Sequence, residues 1–398
     1  MAEQGPTGTF DLAGQPAFLL NDPAAIQDVL VTQEARYRKS PGIERSMRLL
    51  GQGLLTASGR LHAARRKTVL PAFQRHRMDR YAAIMVAHAA RRAARWRDGD
   101  EIDVVQEMTT LTVSVVGETL FSTDLLPLAP ELRRILAIAV DGLDPLVALV
   151  APRRRLRPAG ERLHAIVQQL IDARLEREGD DDDLLGLLIA AGGPDATPAQ
   201  LHDDVLTMLL AGHDTIANAL TWTWSWLSEH PAAEDALHHE LDTILGDREP
   251  GIEDVPRLVF TRAVLAESLR LTPPAWIIAR TAIESHELAG VAVPAGALVL
   301  ISPYLLHRDT RFFPAPLVFD PHRWLRASDT PRPKLAYLPF GAGRRSCVGE
   351  AFAWLEGTLV LATLARRWRV RVRSPREMHP RITLRPAGPL LAAIARRS

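Results

Sequence analysis

The stretch Phe340-Gly-Ala-Gly-Arg-Arg-Ser-Cys-Val-Gly349 holds the only cysteine of the 398-residue chain, Cys347, just ahead of an apolar run. One cysteine builds no disulfide, and zinc or iron–sulfur sites made of several thiolates need three or four soft protein ligands. Three roles remain: a buried structural thiol, a nucleophile, or a single axial ligand to a metal already held by a macrocycle. Gly341, Gly343 and Gly349 permit tight turning and close approach of a flat partner, so the sulfur is expected to be presented and not packed away. From Glu350 onward the apolar pattern reads as a helix, which places Cys347 near a helix N-terminus, where the dipole favours a thiolate.

The segment resembles the heme-binding signature F-x-x-G-x-R-x-C-x-G of the cytochrome P450 family, and Phe340, Gly343, Arg345, Cys347 and Gly349 match its fixed positions. The resemblance implies a mainly α fold with small β-sheets, as a single domain over residues 1–398. It implies heme b as cofactor, with Cys347 as thiolate ligand to the iron and Arg345 against a propionate. Phe340, Gly341 and Gly349 would belong to the same cradle. A thiolate pushes electron density onto the iron and favours O–O cleavage, which is the chemical reason for cysteine at this position.

Composition agrees with a large enzyme. With 47% hydrophobic and 24% charged residues the chain can bury a sizeable core, and a formal net charge of +1 argues against general nucleic-acid binding. A single cysteine places no demand on an oxidising compartment, and the first residues show neither a leader pattern nor a spanning run, so a cytoplasmic location is expected.

Apolar residues recur at helical spacing along most of the chain. Short strand-like runs lie at Phe18–Leu20, Ala297–Ile301, Val370–Val372 and Ile382–Leu384. The acidic run Asp180–Asp183 and the stretch from Gly192 to Thr197 read as solvated loop. The longest helix is predicted from Thr197, a capping-box residue followed by Pro198, to about Glu229, a span of about 50 Å. Within it Ala211-Gly-His-Asp-Thr215 breaks the apolar pattern, and such breaks mark candidate functional sites. A bland account has Gly212 as a close-packing point and Thr215 bonded back to the Ala211 carbonyl. The segment also resembles the P450 oxygen-activation motif, which implies Thr215 as the hydroxyl and Asp214 as the carboxylate of a proton relay. Cleaving dioxygen requires two protons, so those are the groups to expect.

Three further sets of residues follow. His62 and Arg66 are four apart and share one face if their segment is helical, and the family match implies a grip on the propionates. Arg280 is expected at a propionate by the same resemblance. Glu267 and Arg270, three apart, match the family's E-x-x-R pair, with Arg323 completing a structural cluster; alone, such a pair reads as a solvated surface contact. The pocket is expected to be lined by Leu209, Leu210, Ala211 and Ile216, with Ala275, Trp276, Ile277 and Ile278. The loop Gly51–Thr56 would help to roof it, and residues 132–178, around Pro145 and Pro152, would form a lid. The stretch ahead of His62 looks short for the family, as though a first helix and an outer sheet strand were trimmed.

The function implied is a monooxygenase of secondary metabolism that hydroxylates or epoxidises a hydrophobic small molecule, a terpenoid, fatty acid or polyketide. No flavin or dinucleotide pattern is found, because Ser346 stands where a third glycine would be needed after Gly341 and Gly343. Electrons would therefore come from a ferredoxin or flavodoxin, steered by Arg65, Lys67, Arg75, Arg77 and Arg344. Other readings are a peroxide-driven or oxidative-coupling heme enzyme, and a heme-binding sensor or carrier without turnover.

Overall fold

The computed structural model describes residues 7–12, 14–143, 153–177, 183–192, 197–326 and 331–397. Six helices and the small sheets around them position the site. The helices are α1 (Gly59–Val69), α2 (Arg75–Ala93), α3 (Val104–Phe121), α4 (Pro198–Glu229), α5 (Val259–Leu271) and α6 (Glu350–Ala365). The strands are β1 (Thr7–Leu12), β2 (Gln15–Leu20), β3 (Tyr37–Lys39), β4 (Glu101–Asp103), β5 (Ile278–Ala282), β6 (His286–Leu288), β7 (Val291–Val293), β8 (Leu298–Ile301), β9 (Trp368–Val372), β10 (Met378–Pro380), β11 (Leu384–Pro386) and β12 (Leu391–Arg396).

The long central helix α4 begins as its sequence dictates. Thr197 accepts from the Gln200 N–H, Gln200 reaches back to the Thr197 N–H, and Pro198 takes the first helical position. The Thr221–Trp226 stretch, which in isolation would alternate as a strand, stays helical because its residues are buried on every side; Trp222 and Trp224 expose no surface. Helices α3, α5 and α6 pack around α4 in one large core. Gly212 is the close-packing point on the α3 side, since a Cβ there would lie 3.2 Å from Val116.

A five-stranded sheet in the order β1-β2-β8-β5-β3 forms a second, smaller core with Ile26, Val29, Leu30 and Leu338. The N-terminal stretch supplies two of its strands: β1 and β2 pair antiparallel, and β2 runs parallel to β8. The strand predicted at Ile382–Leu384 starts later. Ile382 and Thr383 belong to the turn between β10 and β11, and only Leu384 enters the ladder.

Asp183 is not solvated as expected. It is buried, lies 3.7 Å from Arg174, and accepts from the Gly186 N–H at the start of a helix. Pro145, Pro152 and residues 180–182 lie outside the described residues, so the lid expectation is represented only by helices Ala129–Leu143 and Arg153–Leu175. No helix among the described residues is long and apolar enough to cross a membrane.

Candidate active site

The cysteine loop is fixed by backbone geometry at two of its glycines. Gly341 and Gly343 have φ of 68° and 71°, in the left-handed region that favours glycine, and a Cβ on Gly343 would stand 2.0 Å from the Leu30 carbonyl oxygen. Gly349 is different: its φ is −93° and a Cβ would make ordinary contact with Phe73, so neither conformation nor space demands glycine there. The Cys347 N–H donates to the Phe340 carbonyl at 2.9 Å, closing the loop just before α6. The Phe340 ring leans on Trp354 of that helix.

Cys347 is exposed by surface area, yet burial pushes its thiol up, opposed by the Gly349 N–H and Arg66. The side chain keeps accessible surface, but protein lies close enough around it to disfavour charge. The helix terminus and a cation at the sulfur would both favour the charged form, against burial.

Arg66 does not reach away from this loop. Its guanidinium donates to the Ser346 carbonyl at 2.6 Å and to the Ser346 hydroxyl at 3.3 Å, bracing the residue before Cys347. His62, one turn earlier on α1, is buried, and its pKa is lowered to about 4 by burial and then by Arg345, Lys39, Arg66 and Arg280.

These cations form a cluster that the sequence only partly disclosed. β3 and β5 pair so that Lys39 stands directly across from Arg280. Like charges directly opposite on a sheet destabilise it. Burial, with Arg345 and Arg280, lowers the Lys39 pKa to about 7, while burial, with Arg345, lowers that of Arg280 to about 10. Lys39 donates to the Leu55 carbonyl in the Gly51–Thr56 loop. Arg345 lies 3.3 Å from Glu34 and 3.3 Å from the Ala57 carbonyl, and the buried Nε of Arg280 has no hydrogen-bond partner. A buried, undersatisfied cationic cluster against one carboxylate fits an anion-bearing ligand, and heme carries two propionates. Lys39 and Glu34 escaped sequence reading because neither belongs to a local motif; the cross-strand register is what places Lys39.

On α4, Ala211 and Thr215 are exposed although neighbouring turns are buried, which marks the helix face that borders open space. The Thr215 hydroxyl donates to the Ala211 carbonyl at 3.0 Å, so its lone pairs remain outward, and Asp214 accepts from the Thr383 hydroxyl at 2.9 Å. The bland account of this segment is thus correct in its contacts and compatible with a site. Leu209, at 0% exposure, and Ile216, at 5%, are core residues in this structure, Ile216 packing toward Gly357; neither lines open space as expected. Leu210 is half-buried, Ala275 is exposed, and Trp276, Ile277 and Ile278 are half-buried, consistent with lining. The Trp276 indole donates to the Arg381 carbonyl at 2.6 Å.

Glu267 is the hub of a separate cluster. Its carboxylate accepts from Arg270 at 2.8 and 2.9 Å, from Arg323 at 2.9 Å, from the Trp324 indole at 3.0 Å and from the Asp320 N–H at 2.9 Å. The other three Arg270 donors reach the carbonyls of His307, Pro316 and Val318, so all five are used. Glu267 and Arg270 are fully buried, which overturns a solvated surface pair.

A family model described as Cytochrome P450 matches residues 1–391. The chain belongs to the cytochrome P450 family. It is 41% identical to cyclooctatin synthase of Streptomyces melanosporofaciens over 95% of its own length and 86% of the relative's. It is 34% identical to pentalenene oxygenase of Streptomyces avermitilis, covering 92% and 84% of the two chains. Cyclooctat-9-en-7-ol 5-monooxygenase of Streptomyces melanosporofaciens is 36% identical, with 89% and 80% covered. This P450 is a monooxygenase, a heme protein of a family that binds hydrophobic substrates and takes electrons from redox partners.

Proposed function

We propose that this P450 uses heme b, ligated by Cys347, to hydroxylate or epoxidise a terpenoid with electrons from a ferredoxin or flavodoxin. The observation that carries the reading is the largely buried cluster of Lys39, Arg280 and Arg345 around His62, in which Glu34 is the facing carboxylate. Arg280, Arg345 and His62 would hold the propionates, and Gly341 and Gly343 would let the loop carrying Cys347 approach the ring. Thiolate-ligated heme, when bound, supplies reductive activation of dioxygen. Thr215 would hold a proton at the open face of α4, and Asp214 would resupply it from solvent, a pairing a sensor or carrier has no use for. Leu210, Ala211 and Ala275–Ile278 would exclude water and hold an apolar substrate. The terpenoid class rests on the names of the relatives. A cytoplasmic location belongs to the same proposal, supported by a chain that needs no oxidising compartment.

The partner face needs revision. Arg65 is buried and paired with Asp204, and Arg77 is buried as well, so neither is available for docking. Lys67, Arg75 and Arg344 are exposed and remain. Reversing Arg75 and Arg344 to glutamate is expected to slow reduction by a ferredoxin and flatten its salt dependence. Rates unchanged across ionic strength would remove this face from the proposal.

The deciding measurement is the absorption spectrum after reduction and carbon monoxide addition. A strongly red-shifted Soret band, lost in Cys347→His, is expected; an imidazole-like spectrum in both proteins would end the reading. Thr215→Ala should consume oxygen with peroxide release in place of product, whereas an undiminished product yield would favour the peroxide-driven alternative.

A further inference from the structure

The turn between β10 and β11 is held unusually firmly for a hairpin tip. The Arg381 carbonyl accepts from Trp276, the Leu384 N–H donates to the Pro274 carbonyl at 2.9 Å, and the Leu384 carbonyl accepts from the Trp222 indole at 3.0 Å. Two of these three anchors come from the segment after α5, and one comes from α4. Between them Ile382 exposes 41% of its surface, while Thr383 turns inward, 8% exposed, with its hydroxyl on Oδ2 of Asp214.

A carboxylate on an open helix face would ordinarily sample several rotamers, and a relay needs one. The Asp214 carboxylate accepts no other side-chain hydrogen bond among the described residues, and no described arginine or lysine pairs with it, while the Asn218 amide donates to its backbone carbonyl at 2.8 Å. Its orientation is therefore set by a neutral donor from a different part of the chain. The Thr383 hydroxyl occupies Oδ2 and leaves Oδ1 without a side-chain partner among the described residues. The turn that supplies the donor is itself bolted to α4 and to the Pro274–Trp276 segment, which makes the geometry rigid.

We propose that Thr383 is a positioning residue for the proton relay: it fixes Asp214 so that Oδ1 takes a proton from solvent and passes it to the Thr215 hydroxyl. This rests on the monooxygenase relay proposed above. It gives the β10–β11 turn a part in dioxygen chemistry through Asp214, separate from any contact the turn makes with substrate.

The test uses the ferric holoenzyme and three variants, Thr383→Val, Thr383→Ser and Asp214→Ala. Hydrogen exchange over residues 378–386 reads the bond itself, with no turnover. Exchange should accelerate about three- to tenfold in Thr383→Val, the worth of one ordinary hydrogen bond, and stay near wild type in Thr383→Ser. Thr383→Val should add nothing further in the Asp214→Ala background. Additive effects would show that the two side chains do not interact and would overturn the proposal, whatever the enzyme's chemistry. The second readout is substrate-free oxygen consumption driven by a ferredoxin system in H2O and D2O. Thr383→Val should slow it about three- to tenfold and enlarge the solvent isotope effect, with Thr383→Ser restoring both. Faster exchange with unchanged oxygen consumption and isotope effect would reduce Thr383 to a hairpin anchor and overturn the positioning role. Loss of the heme–thiolate spectrum in wild type would instead defeat the functional reading, leaving the exchange result to stand separately.

Discussion

The Glu267 cluster and the Lys39–Arg280 cluster both draw arginines out of solvent, but only the first is complete within the chain. Every donor of Arg270 meets a carboxylate or carbonyl, and Glu267 is saturated in return. In the second cluster two cations face each other across a sheet, Arg280 leaves Nε unpartnered, and Glu34 is the carboxylate at hand. Satisfied buried charge is architecture; undersatisfied buried charge of one sign is a binding site. The same residue type serves both ends, and the inventory of acceptors tells them apart.

The comparison breaks first at Glu267. Glu267→Ala leaves two arginines buried without a carboxylate and should cost about 3–5 kcal/mol, read as a large drop in urea midpoint or as failure to fold. A loss below about 1 kcal/mol would mean the hub is ornamental. In the other cluster the sign should reverse. Arg280→Leu relieves repulsion, so the heme-free protein should keep or raise its urea midpoint, while heme transfer to apomyoglobin should accelerate by about tenfold or more, the worth of one charge-assisted hydrogen bond. Unchanged heme loss would detach Arg280 from the propionates.

A pH titration sharpens the same contrast. His62 is depressed from 6.5 to about 4 in the fold, so the unfolded chain takes up a proton first as pH falls. Its contribution is a loss of stability of the heme-free protein between about 6.5 and 4, absent above that window; His62→Gln should flatten that part of the curve. A parallel curve in the variant would refute the assignment. A third buried ionisable group is uncharged in the fold. Glu356 is fully buried with both oxygens unpartnered, and burial raises its pKa well above 4.5. It stays protonated in the fold while the unfolded chain ionises, so its contribution falls as pH rises above about 4.5 until the folded group itself ionises. Glu356→Gln should remove that slope and change little at low pH.

What could be read beforehand follows the distance along the chain between partners. The cysteine loop, the Glu267–Arg270 pair and the capping box of α4 lie within a few residues, so spacing alone exposes them. Lys39 faces Arg280, Glu34 meets Arg345 and Thr383 meets Asp214 only through tertiary pairing, which no local pattern encodes. Arg65 and Arg77 looked like surface because basic residues usually are; their helix faces turn inward, and Asp204 on α4 compensates Arg65. Leu209 and Ile216 failed for the converse reason, since an apolar residue on a core-crossing helix can face either the core or a cavity.

Gly343 rests against the Leu30 carbonyl so closely that a single methyl group would not fit between them. The two residues are separated by most of the chain, and the cluster facing Arg345 gathers its members from residue 39 to residue 280. During synthesis, then, the N-terminal sheet must wait for the cysteine loop to leave the ribosome before either acquires its final shape. The contact joins the two ends of the chain, so neither the first strands nor the cysteine loop reaches its final geometry until nearly all of the chain has been made.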